Sequence, residues 1–527
     1  DILPENRFTV TFDTVGGNEI PAQTVCRGRR ATPPQEPTRD DYTFTGWFNG
    51  ETEWNFETDT VTENITLTAG WEVTVRYSEG LRFTSNGDGT CSVSGIGTCT
   101  DTDINIPPVS LSGDRVVWIG QNAFSRNKKL TSITMPDSVT GIASRAFELC
   151  TKLRSVTLSN SLTELNSYVF SDCTELTSVV IPNGVTNIGC CAFDDCPKLV
   201  SVSIPDSVTR IEENAFRYCS GLTSLVIPKG VTSISSSSFD YCHGLISITV
   251  AEENPVYHSS GDCVIETASK SLVLGCSRSV IPSDGSVTSI ASGAFRHCSG
   301  LTGITIPDGV TSIGSSAFQG CSGLTSLLIP NGVTIIGNAA FNACTSLTSI
   351  TIPGSVTGID RMAFMGCSGL TSITILDGVK YIGDYAFKAC SGLTSVTVPD
   401  SAINMGGSVF EGCSGLKSFT IPTIPSPRAF RSYFGIYVPS QLRTVVITGG
   451  ESIGSSVFKG CSELTSITIS DSVTSIGDSA FSDCSGLTSI TFRGTIAQWN
   501  AIEKGTDWNS NTGNYTIHCT DGDIEKA

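Results

Sequence analysis

One arrangement of hydrophobic and polar positions recurs along most of the chain, and residues 313–333 show it clearly. Leu324, Leu327 and Ile329 follow a Leu-x-x-Leu-x-Leu spacing, whose last three residues alternate as in a half-buried strand. The Pro-Asn-Gly sequence at 330–332 then predicts a turn, because glycine adopts positive φ and proline cannot donate to a ladder. Each unit therefore predicts a strand followed by a reversal of the chain.

The second half of the unit predicts a compact corner. Phe341 and Cys344 are three residues apart, which would place them on one face of a short helical turn. Gly337 precedes them and permits another change of direction. We therefore expect each unit to form one coil, with a strand side and a partly helical side around an apolar centre.

The phenylalanines show how regularly these coils repeat. Within three runs, successive copies lie 23 residues apart, and a fixed period in this range is typical of a solenoid. The predicted fold is a parallel-sheet solenoid with short helical turns and one phenylalanine per coil. The column consists of Phe124, Phe147, Phe170, Phe193, Phe216 and Phe239, then Phe295, Phe318, Phe341, Phe364, Phe387 and Phe410, then Phe458 and Phe481.

The period divides the chain into four segments. Residues 1–72 lack it and alternate aromatic with polar positions, which predicts a small β-rich domain whose core contains Trp47 and Trp54. Residues 73–118 are expected to cover the first coil, and residues 119–492 to form the repeats. Residues 493–527 are expected to seal the last coil with a short helix near 496–502 and a final strand, because a solenoid needs atypical terminal units.

The repeat is interrupted twice. An extra segment near 251–280 predicts a β-hairpin that leaves one coil, and it carries Tyr257 and His258 as candidate binding residues. A proline-rich stretch near 422–445 predicts a degenerate repeat whose column residue is Phe430. Insertions in solenoids emerge on one face and often bind partners, but a tolerated surface loop explains these segments equally well.

Both regular parts resemble known families. The repeat Leu-x-x-Ile-x-Ile-Pro-x-Gly-Val-x-x-Ile-Gly-x-x-Ala-Phe-x-x-Cys is similar to the BspA-like, or treponemal-type, leucine-rich repeat. The motifs Val-Thr-Phe-Asp, Tyr-Thr-Phe-Thr-Gly-Trp-Phe and Ile-Thr-Leu-Thr-Ala-Gly-Trp in 1–72 resemble the Listeria–Bacteroides repeat, the B-repeat type of the internalins. The resemblance implies a leucine-rich-repeat solenoid joined to a small β-grasp-like domain. It also implies a surface or secreted protein of a host-associated bacterium, in a family with members implicated in adhesion.

Charge and hydropathy narrow the range of partners. The formal net charge is −18 and the pI about 4.7, which argues against nucleic acid and anionic membranes as partners. No run of 18 apolar residues is present, so no membrane span is predicted. The chain begins at Asp1 with neither an initiator Met nor a signal peptide. We expect the signal peptide to have been removed from an extracellular or cell-surface protein.

The 21 cysteines invite a disulfide or metal interpretation. Thirteen occupy the repeat position, where equivalent side chains point the same way, so we predict a ladder of reduced core thiols. The local pairs Cys91/Cys99 and Cys263/Cys276 are better disulfide candidates. A zinc site is not predicted, because there is no Cys-x-x-Cys pair and the adjacent Cys190 and Cys191 have no nearby histidine.

Catalytic and metal-binding patterns are not found either. The chain has four histidines, and His297 stands beside a ladder cysteine, so a nucleophile–base pair is not predicted. Asn86, Asp88, Asp101 and Asp103 do not follow the spacing of a calcium loop and are better explained by turn chemistry. We therefore predict a protein that is not an enzyme and has no cofactor and no metal.

The remaining candidate is the outward face of the predicted strands. This face carries small hydroxyl side chains, interrupted by a few aliphatic ones, and it suits an extended protein or glycan partner; threonine's strand preference explains it equally well. The leading hypothesis is an adhesin for host matrix or cell-surface proteins, and the alternatives are a structural spacer or a glycan-binding surface. The candidate site residues are Val180, Val226, Thr305, Thr325, Ser326, Leu328, Thr351 and Thr374.

Overall fold

The structure is a computed structural model that describes residues 6–39, 42–73, 76–422, 432–435 and 438–526. The chain forms two units, residues 1–79 and residues 80–527. The first contains one small sheet and the second contains the solenoid, so the predicted fold class is confirmed.

The first unit is a five-stranded sheet with the order β2-β1-β5-β3-β4, in which β1 and β5 run parallel. This order is that of a β-grasp sheet. Trp47 is 4% exposed and its ring lies 4.9 Å from that of Phe12, so Trp47 is a core residue, whereas Trp54 is half-buried. The strands are β1 (Arg7–Asp13), β2 (Gln23–Cys26), β3 (Tyr42–Asn49), β4 (Thr52–Glu53) and β5 (Ile65–Val73).

The second unit begins with strands that cover the first coil. β6 pairs antiparallel with β7, which pairs parallel with β9, so the antiparallel strand ends the stack. Asp88 and Asp103 accept hydrogen bonds from neighbouring hydroxyl groups, Asp88 from Thr90 and Asp103 from Thr131. The strands are β6 (Arg82–Ser85), β7 (Thr90–Gly95), β8 (Asp103–Asn105) and β9 (Arg115–Ile119).

About 18 turns of chain follow one another, and most of the described coils contribute to two stacks of strands. We call the first stack the front sheet; it holds the Leu-x-x-Leu-x-Leu strands. Together with β8 it consists of β10 (Ser132–Thr134), β12 (Ser155–Thr157), β13 (Ser178–Val180), β15 (Ser201–Ser203), β17 (Ser224–Ile227), β19 (Ser247–Val250), β26 (Ser349–Ile352), β28 (Ser372–Ile375), β30 (Ser395–Thr397), β32 (Ser418–Ile421), β33 (Thr444–Ile447), β35 (Ser466–Ile469), β37 (Ser489–Phe492), β39 (Thr516–Cys519) and the antiparallel edge strand β40 (Gly522–Glu525).

The second stack, the back sheet, consists of shorter strands on the return side of each coil. Together with β9 it contains β11 (Gly141–Ile142), β14 (Asn187–Ile188), β16 (Arg210–Ile211), β18 (Ser233–Ile234), β20 (Tyr257–Ser260), β21 (Cys263–Glu266), β22 (Ser271–Leu274), β23 (Ser289–Ile290), β24 (Ser312–Ile313), β25 (Ile335–Ile336), β27 (Gly358–Ile359), β29 (Tyr381–Ile382), β31 (Asn404–Met405), β34 (Ser452–Ile453), β36 (Ser475–Ile476) and β38 (Glu503–Lys504).

The corner that carries the phenylalanine differs from the expected helical turn. The amides of Ser316, Phe318 and Gly320 donate to the next coil, and the amides between them close tight turns within their own coil. This alternation requires a left-handed residue two places before and two places after the phenylalanine, as at Ser316 (φ 55°) and Gly320 (φ 72°). The corner is thus a run of tight turns that is bonded to its neighbour at every second residue.

The phenylalanine column is the centre of the core. The rings of adjacent coils lie nearly parallel, with centroids 5.0 Å apart at Phe295–Phe318 and 5.6 Å apart at Phe387–Phe410. The ladder cysteines lie beside them, and the Cys321 thiol donates to the Phe295 carbonyl across 3.0 Å. Burial raises the pKa of such thiols, that of Cys367 to about 12. A buried thiol that donates to a carbonyl explains why cysteine suits this position.

The insertion near 251–280 joins the back sheet instead of leaving the surface. β20, β21 and β22 form an antiparallel meander, and β22 pairs parallel with β23 of the next coil. The apolar core falls into two clusters that meet here. Val264 belongs to the cluster on the N-terminal side, whereas Ile265 and Leu272 belong to the cluster on the C-terminal side.

The degenerate coil is described only in part. Phe430, which the sequence assigns to the column, lies outside the described residues, as do Pro425, Pro427 and Tyr437. Among the described residues, the Phe410 ring lies 5.4 Å from that of Phe419 and 6.2 Å from that of Phe434, and the Phe410 amide donates to the Tyr433 carbonyl.

The C-terminal end carries the predicted helix, α1 (Ile496–Ala501). Thr495 and Gln498 form a reciprocal capping box that satisfies its first amides. Trp499, which is 3% exposed, packs its ring 5.4 Å from that of Phe492. Trp508 contacts Phe481, the last ring of the column, so both tryptophans belong to the seal of the last coil.

Candidate functional site

Hydroxyl groups cover most of the front sheet. Along β26 the side chains of Ser349 and Thr351 are exposed while Ile350 and Ile352 are buried, and β28 repeats this alternation. The same positions stack from coil to coil in register, with Ser349 opposite Ser372 and Thr351 opposite Thr374. The face therefore presents columns of serine and threonine.

A third column, one residue earlier, is already engaged within the protein. The Thr325 hydroxyl donates to the carbonyl of Thr302 across 3.1 Å, and Thr348 does the same to Thr325 across 3.3 Å. Thr325 is exposed, but its hydroxyl hydrogen is committed to the neighbouring coil. Among the candidate residues on this face, Thr325 therefore has a structural role, because its hydroxyl links two adjacent coils.

In the described coils, exposed aliphatic side chains interrupt the hydroxyl column that contains Thr351 at four positions, and the half-buried Val446 does so at a fifth. Val180, Val226 and Leu328 are 71%, 60% and 69% exposed, and Val280 occupies the equivalent position with 68% exposure. Val280 was not among the residues selected from the sequence, because it was assigned to the end of the insertion. The sequence could have identified Val280 as a repeat position, since each of these four residues is followed by Ile-Pro.

Two of these aliphatic residues flank an open groove with a volume of about 690 Å³. Among the selected residues, the structure brings Thr305, Ser326, Leu328 and Thr351 together here. Thr374 lies one coil beyond, and Val180 and Val226 lie on coils before the insertion, outside this groove. The lining residues are Ser279, Val280, Ile281, Gly303, Ile304, Thr305, Ser326, Leu327, Leu328, Ser349, Ile350 and Thr351.

The groove forms where pairing within the front sheet is weakest. Gly303 and Ser326 make only isolated bridges, in place of the longer strands found from β26 onward. Gly303 replaces the usual serine, and a Cβ atom built there would meet nothing within 4 Å. The absence of a side chain at Gly303 and the isolated bridges in place of strands together leave room for the groove.

The insertion ends the front sheet on the other side of the groove. The Asp262 carboxylate accepts hydrogen bonds from the Ile248 amide (3.1 Å) and the Ser247 hydroxyl (3.0 Å), and the Val250 amide donates to Ser259. Side chains of the insertion therefore take the place of the next strand along β19. The front sheet is interrupted after β19, but the Ile248 and Val250 amides still have hydrogen-bond partners.

The candidate residues of the insertion are not both available for binding. Tyr257 is 7% exposed and its hydroxyl lies 3.5 Å from the Thr232 carbonyl, so its assignment to a binding surface is corrected. The aromatic ring fills the junction between coils because the insertion lies against the core. His258 is half-buried, and its Nδ1 lies 2.9 Å from the Thr267 hydroxyl.

No charged residue lines the groove, and several charged side chains pair at the corner that carries the phenylalanine column. There Arg217 makes two hydrogen bonds to Asp194, and Arg296 lies 3.2 Å from Asp240. Burial raises the pKa of Asp240 to about 6 and lowers the pKa of His297 to about 4. These groups pair with each other and do not line the groove.

Cysteine and metal chemistry remains limited. The two local pairs named as disulfide candidates, Cys91/Cys99 and Cys263/Cys276, are not bridged in the structure; the Cys91 thiol donates to the Asp114 carbonyl and the Cys263 thiol to the Gly261 carbonyl. Within the described ranges, no cluster of three or more His, Cys, Asp or Glu side chains is arranged to hold a metal ion. None of the described helices has the length and hydrophobicity to cross a bilayer.

Comparison with known proteins identifies the repeat. The model of the BspA type leucine rich repeat region matches residues 117–246, 269–391, 357–445 and 437–502. The chain belongs to this family. The BspA-type repeats thus cover the coils on both sides of the insertion, and the Listeria-Bacteroides repeat domain matches residues 8–70 of the first unit.

Two solved structures are similar to this chain over most of its length. The pneumococcal vaccine antigen PcpA is 19% identical, with a TM-score of 0.51 and coverage of 83% of this chain and 98% of that one, which supports the fold alone. A leucine rich cell surface protein from Faecalibacterium prausnitzii is 27% identical over 81% of this chain and 97% of that one, with a TM-score of 0.42.

Curated relatives match over short segments only. A putative Gly-rich membrane protein of Evansella cellulosilytica is 40% identical over 85 residues, which are 16% of this chain and 10% of that protein. Internalin H of Listeria monocytogenes is 41% identical over 68 residues, which are 12% of each chain. The chain therefore spans about a tenth of the length of these relatives.

Proposed function

We propose that this BspA-type repeat protein binds an extracellular partner protein through its front sheet, with the groove between Val280 and Thr351 as the main contact. The observation that carries the proposal is the exposure of Val280 and Leu328 on either side of a neutral groove. Exposed aliphatic side chains that lie together and are surrounded by polar groups are typical of interaction sites.

The composition of the groove favours a protein as the partner. Its lining contains no charged residue, so binding removes no ionised group from water, which would be costly. Serine and threonine hydroxyls around the aliphatic residues can donate to or accept from a partner's main chain. A standard protein interface buries about 800 Å² on each side, and the front sheet continues beyond the groove from β26 onward.

We propose a host matrix or host cell-surface protein as the target, and a cell-surface or secreted location for the chain. Support comes from the BspA-type family, from the Listeria-Bacteroides repeat in the first unit and from the segment shared with Internalin H. The net charge of −18 disfavours nucleic acid as a partner. A glycan is less well supported, because no aromatic ring lines the groove.

The test compares a groove variant with a matched control. The double variant Val280→Asp/Leu328→Asp places two carboxylates on the groove, and the control Ile403→Asp changes an aliphatic side chain that is 77% exposed outside it. Binding to immobilised fibronectin, laminin, fibrinogen and collagen, and to fixed host cells, is measured by interferometry. We expect at least about tenfold weaker binding for the groove variant, equivalent to 1.4 kcal/mol, and wild-type binding for the control.

Other outcomes would overturn the proposal in different ways. If the wild-type chain binds none of these proteins or cells, the role of a spacer is favoured. If it binds only on a glycan array, the partner class is wrong. If the groove variant binds as tightly as the control, the contact lies elsewhere on the solenoid.

A further inference from the structure

Two adjacent cysteines, Cys190 and Cys191, lie at the corner of one coil, and neither belongs to the ladder of core thiols. Cys191 is the residue two places before Phe193, and Cys190 precedes it. The equivalent positions hold Ser167 and Tyr168 in the coil before, and Glu213 and Asn214 in the coil after. A pair of thiols is therefore flanked by hydroxyl and carboxylate groups on its two neighbours.

The backbone of the corner places both sulfur atoms on the same side. Adjacent residues of an extended strand point to opposite faces, which would keep two neighbouring thiols apart. Cys191 instead adopts a left-handed conformation with φ 56°. The two Sγ atoms consequently lie 3.6 Å apart.

Bonds to both neighbouring coils hold this conformation. The Tyr168 amide donates to the Cys190 carbonyl (2.9 Å), and the Cys191 amide donates to the Glu213 carbonyl (3.0 Å). Most of the described coils make the same corner bonds, as Ser316 does to Asn338, so the position of the thiols is imposed by the solenoid. The pair is preorganised, and a ligand would not have to order it.

The separation of the sulfur atoms fits chelation of one centre. Metal–thiolate bonds of about 2.3 Å and a sulfur–sulfur distance of 3.6 Å give an S–M–S angle of about 103°, close to tetrahedral. The ladder thiols are differently arranged, because they donate to carbonyls of the preceding coil, as Cys196 does to Phe170 and Cys219 to Phe193. Cys190 is half-exposed while Cys191 is buried, so a ligand would enter past Cys190.

Neighbouring groups suit a thiophilic ligand that displaces protons. Burial, contact with Cys191 and the carboxylates of Glu213 and Glu212 raise the pKa of Cys190 to about 11. The Cys190 thiol is therefore protonated at neutral pH and reacts slowly as a nucleophile. The same carboxylates would favour a cation that takes the place of the two protons.

We propose that Cys190 and Cys191 form a bidentate dithiol site for a single thiophilic centre, the class that includes trivalent arsenic and soft cations such as cadmium. With an arsenoxide, two As–S bonds form and the As–O bond breaks, and the oxygen leaves as water with both thiol protons. With cadmium, two Cd–S bonds form and two protons are released. Neither step changes an oxidation state, so no oxidant or reductant is needed.

The test uses the whole chain, purified with its thiols reduced and handled without oxygen. One equivalent of phenylarsine oxide is added, and the intact mass is measured together with the number of thiols that remain reactive. We expect one arsenical adduct per chain and the loss of two thiols. Titration with cadmium should give a thiolate-to-cadmium absorption band that saturates at one ion per chain, with release of two protons.

Single-residue variants assign the site. Cys190→Ser and Cys191→Ser should each abolish the arsenical adduct and reduce the cadmium band at least tenfold at equal concentration. Cys519→Ser, which removes a half-buried thiol elsewhere, should retain both. Circular dichroism shows whether each variant is folded, and a Cys191→Ala variant replaces Cys191→Ser if the latter unfolds.

Several results would overturn the proposal. An adduct that persists in Cys190→Ser would place the reactive thiols elsewhere. No adduct in the folded wild-type chain would show that the pair does not chelate. If the wild-type chain remains two hydrogens lighter than its fully reduced mass after treatment with reductant, and Cys190→Ser does not, the pair is a disulfide instead.

Discussion

The corner beside the phenylalanine column is built from different residues near the insertion and farther along the solenoid. Two places after the phenylalanine, the backbone is left-handed in both regions. Near the insertion the position holds Tyr218, Tyr241 and His297, with φ near 60°, whereas Gly320, Ala343, Gly366, Ala389 and Gly412 occupy it in the coils that follow. Large aromatic residues near the insertion and glycine or alanine farther along therefore adopt the same left-handed backbone conformation.

Contacts between side chains explain how the large residues are tolerated. The left-handed conformation costs a residue with a side chain roughly 1–2 kcal/mol. The Tyr218 and Tyr241 rings stack at 4.3 Å, Tyr241 and His297 stack at 3.6 Å, and the adjacent charges pair as Asp194–Arg217 and Asp240–Arg296. The comparison shows that the repeat sets the backbone and the side chains adapt to it.

The largest expected effect tests what the two regions share. Phe170→Ala and Phe364→Ala each remove a fully buried ring from the column, one on each side of the insertion. We expect both to lower the free energy of unfolding by about 3–5 kcal/mol, because the cavities are equivalent. Urea unfolding followed by circular dichroism measures the loss. A difference of more than about 2 kcal/mol between the two would show that the column is not equivalent in the two regions.

A smaller effect separates the regions at one position. In Gly320→Ala the new Cβ atom would lie 2.2 Å from Nδ1 of His297, whereas in Gly366→Ala the nearest atom is 3.7 Å away. Both residues have positive φ, so both variants carry the cost of a left-handed alanine. We expect about 1 kcal/mol for Gly366→Ala and roughly 1–2 kcal/mol more for Gly320→Ala, measured by thermal unfolding. Equal losses would mean that the His297 ring moves aside freely.

The smallest effect is a pH dependence that only the region near the insertion should show. The pKa of His297 is lowered to about 4, from an ordinary value near 6.5. The unfolded chain therefore binds more protons at this residue between these values, so the contribution of His297 to stability is complete above pH 6.5 and is lost as the pH drops toward 4. Asp240, whose pKa is raised, offsets part of that loss in the wild-type chain. Because the ring is half-exposed, we expect a loss on the order of 1 kcal/mol.

The variant His297→Asn isolates this contribution. In this variant Asp240, whose pKa burial raises to about 6, becomes the main source of pH dependence in the region near the insertion. The folded chain binds more protons than the unfolded chain between about pH 4 and 6, so the stability of the variant should rise as the pH falls. Urea unfolding between pH 4 and 7 measures both slopes. A variant with the wild-type slope would contradict the assignment to His297.

The periodic part of the fold was predictable from the sequence, because each coil buries the same residue types at the same positions. Phe318, Cys321 and Leu324 are all fully buried, as their spacing indicated. The corner was not predictable in detail. Phe and Cys three residues apart fit a helical turn, but the bonds to the next coil, which no local pattern reveals, select a left-handed residue at Ala343 instead.

The candidate site was predicted in part. The alternation along each strand placed Leu328 and Thr351 on the outer face, and both line the groove. Val280 was missed because the insertion obscures its position in the repeat. Gly303 was missed because its role, leaving room for the groove, depends on how adjacent coils pair in three dimensions. Tyr257 was wrongly placed on the surface, since the direction in which the insertion folds back is set by its pairing with β23 and not by local composition.

The matched register of adjacent coils, as from β26 to β30, has a consequence for how the gene can change in length. Since Ser349 pairs with Ser372 and Ser372 with Ser395, gain or loss of one 23-residue unit would join strands that already match. Recombination between similar repeats in the gene could therefore lengthen or shorten the protein in whole coils while keeping a continuous core. The coils around Asp262 and Val280 are different from their neighbours and could not be exchanged in this way, which would hold the groove at a constant place while the rest of the array changes length.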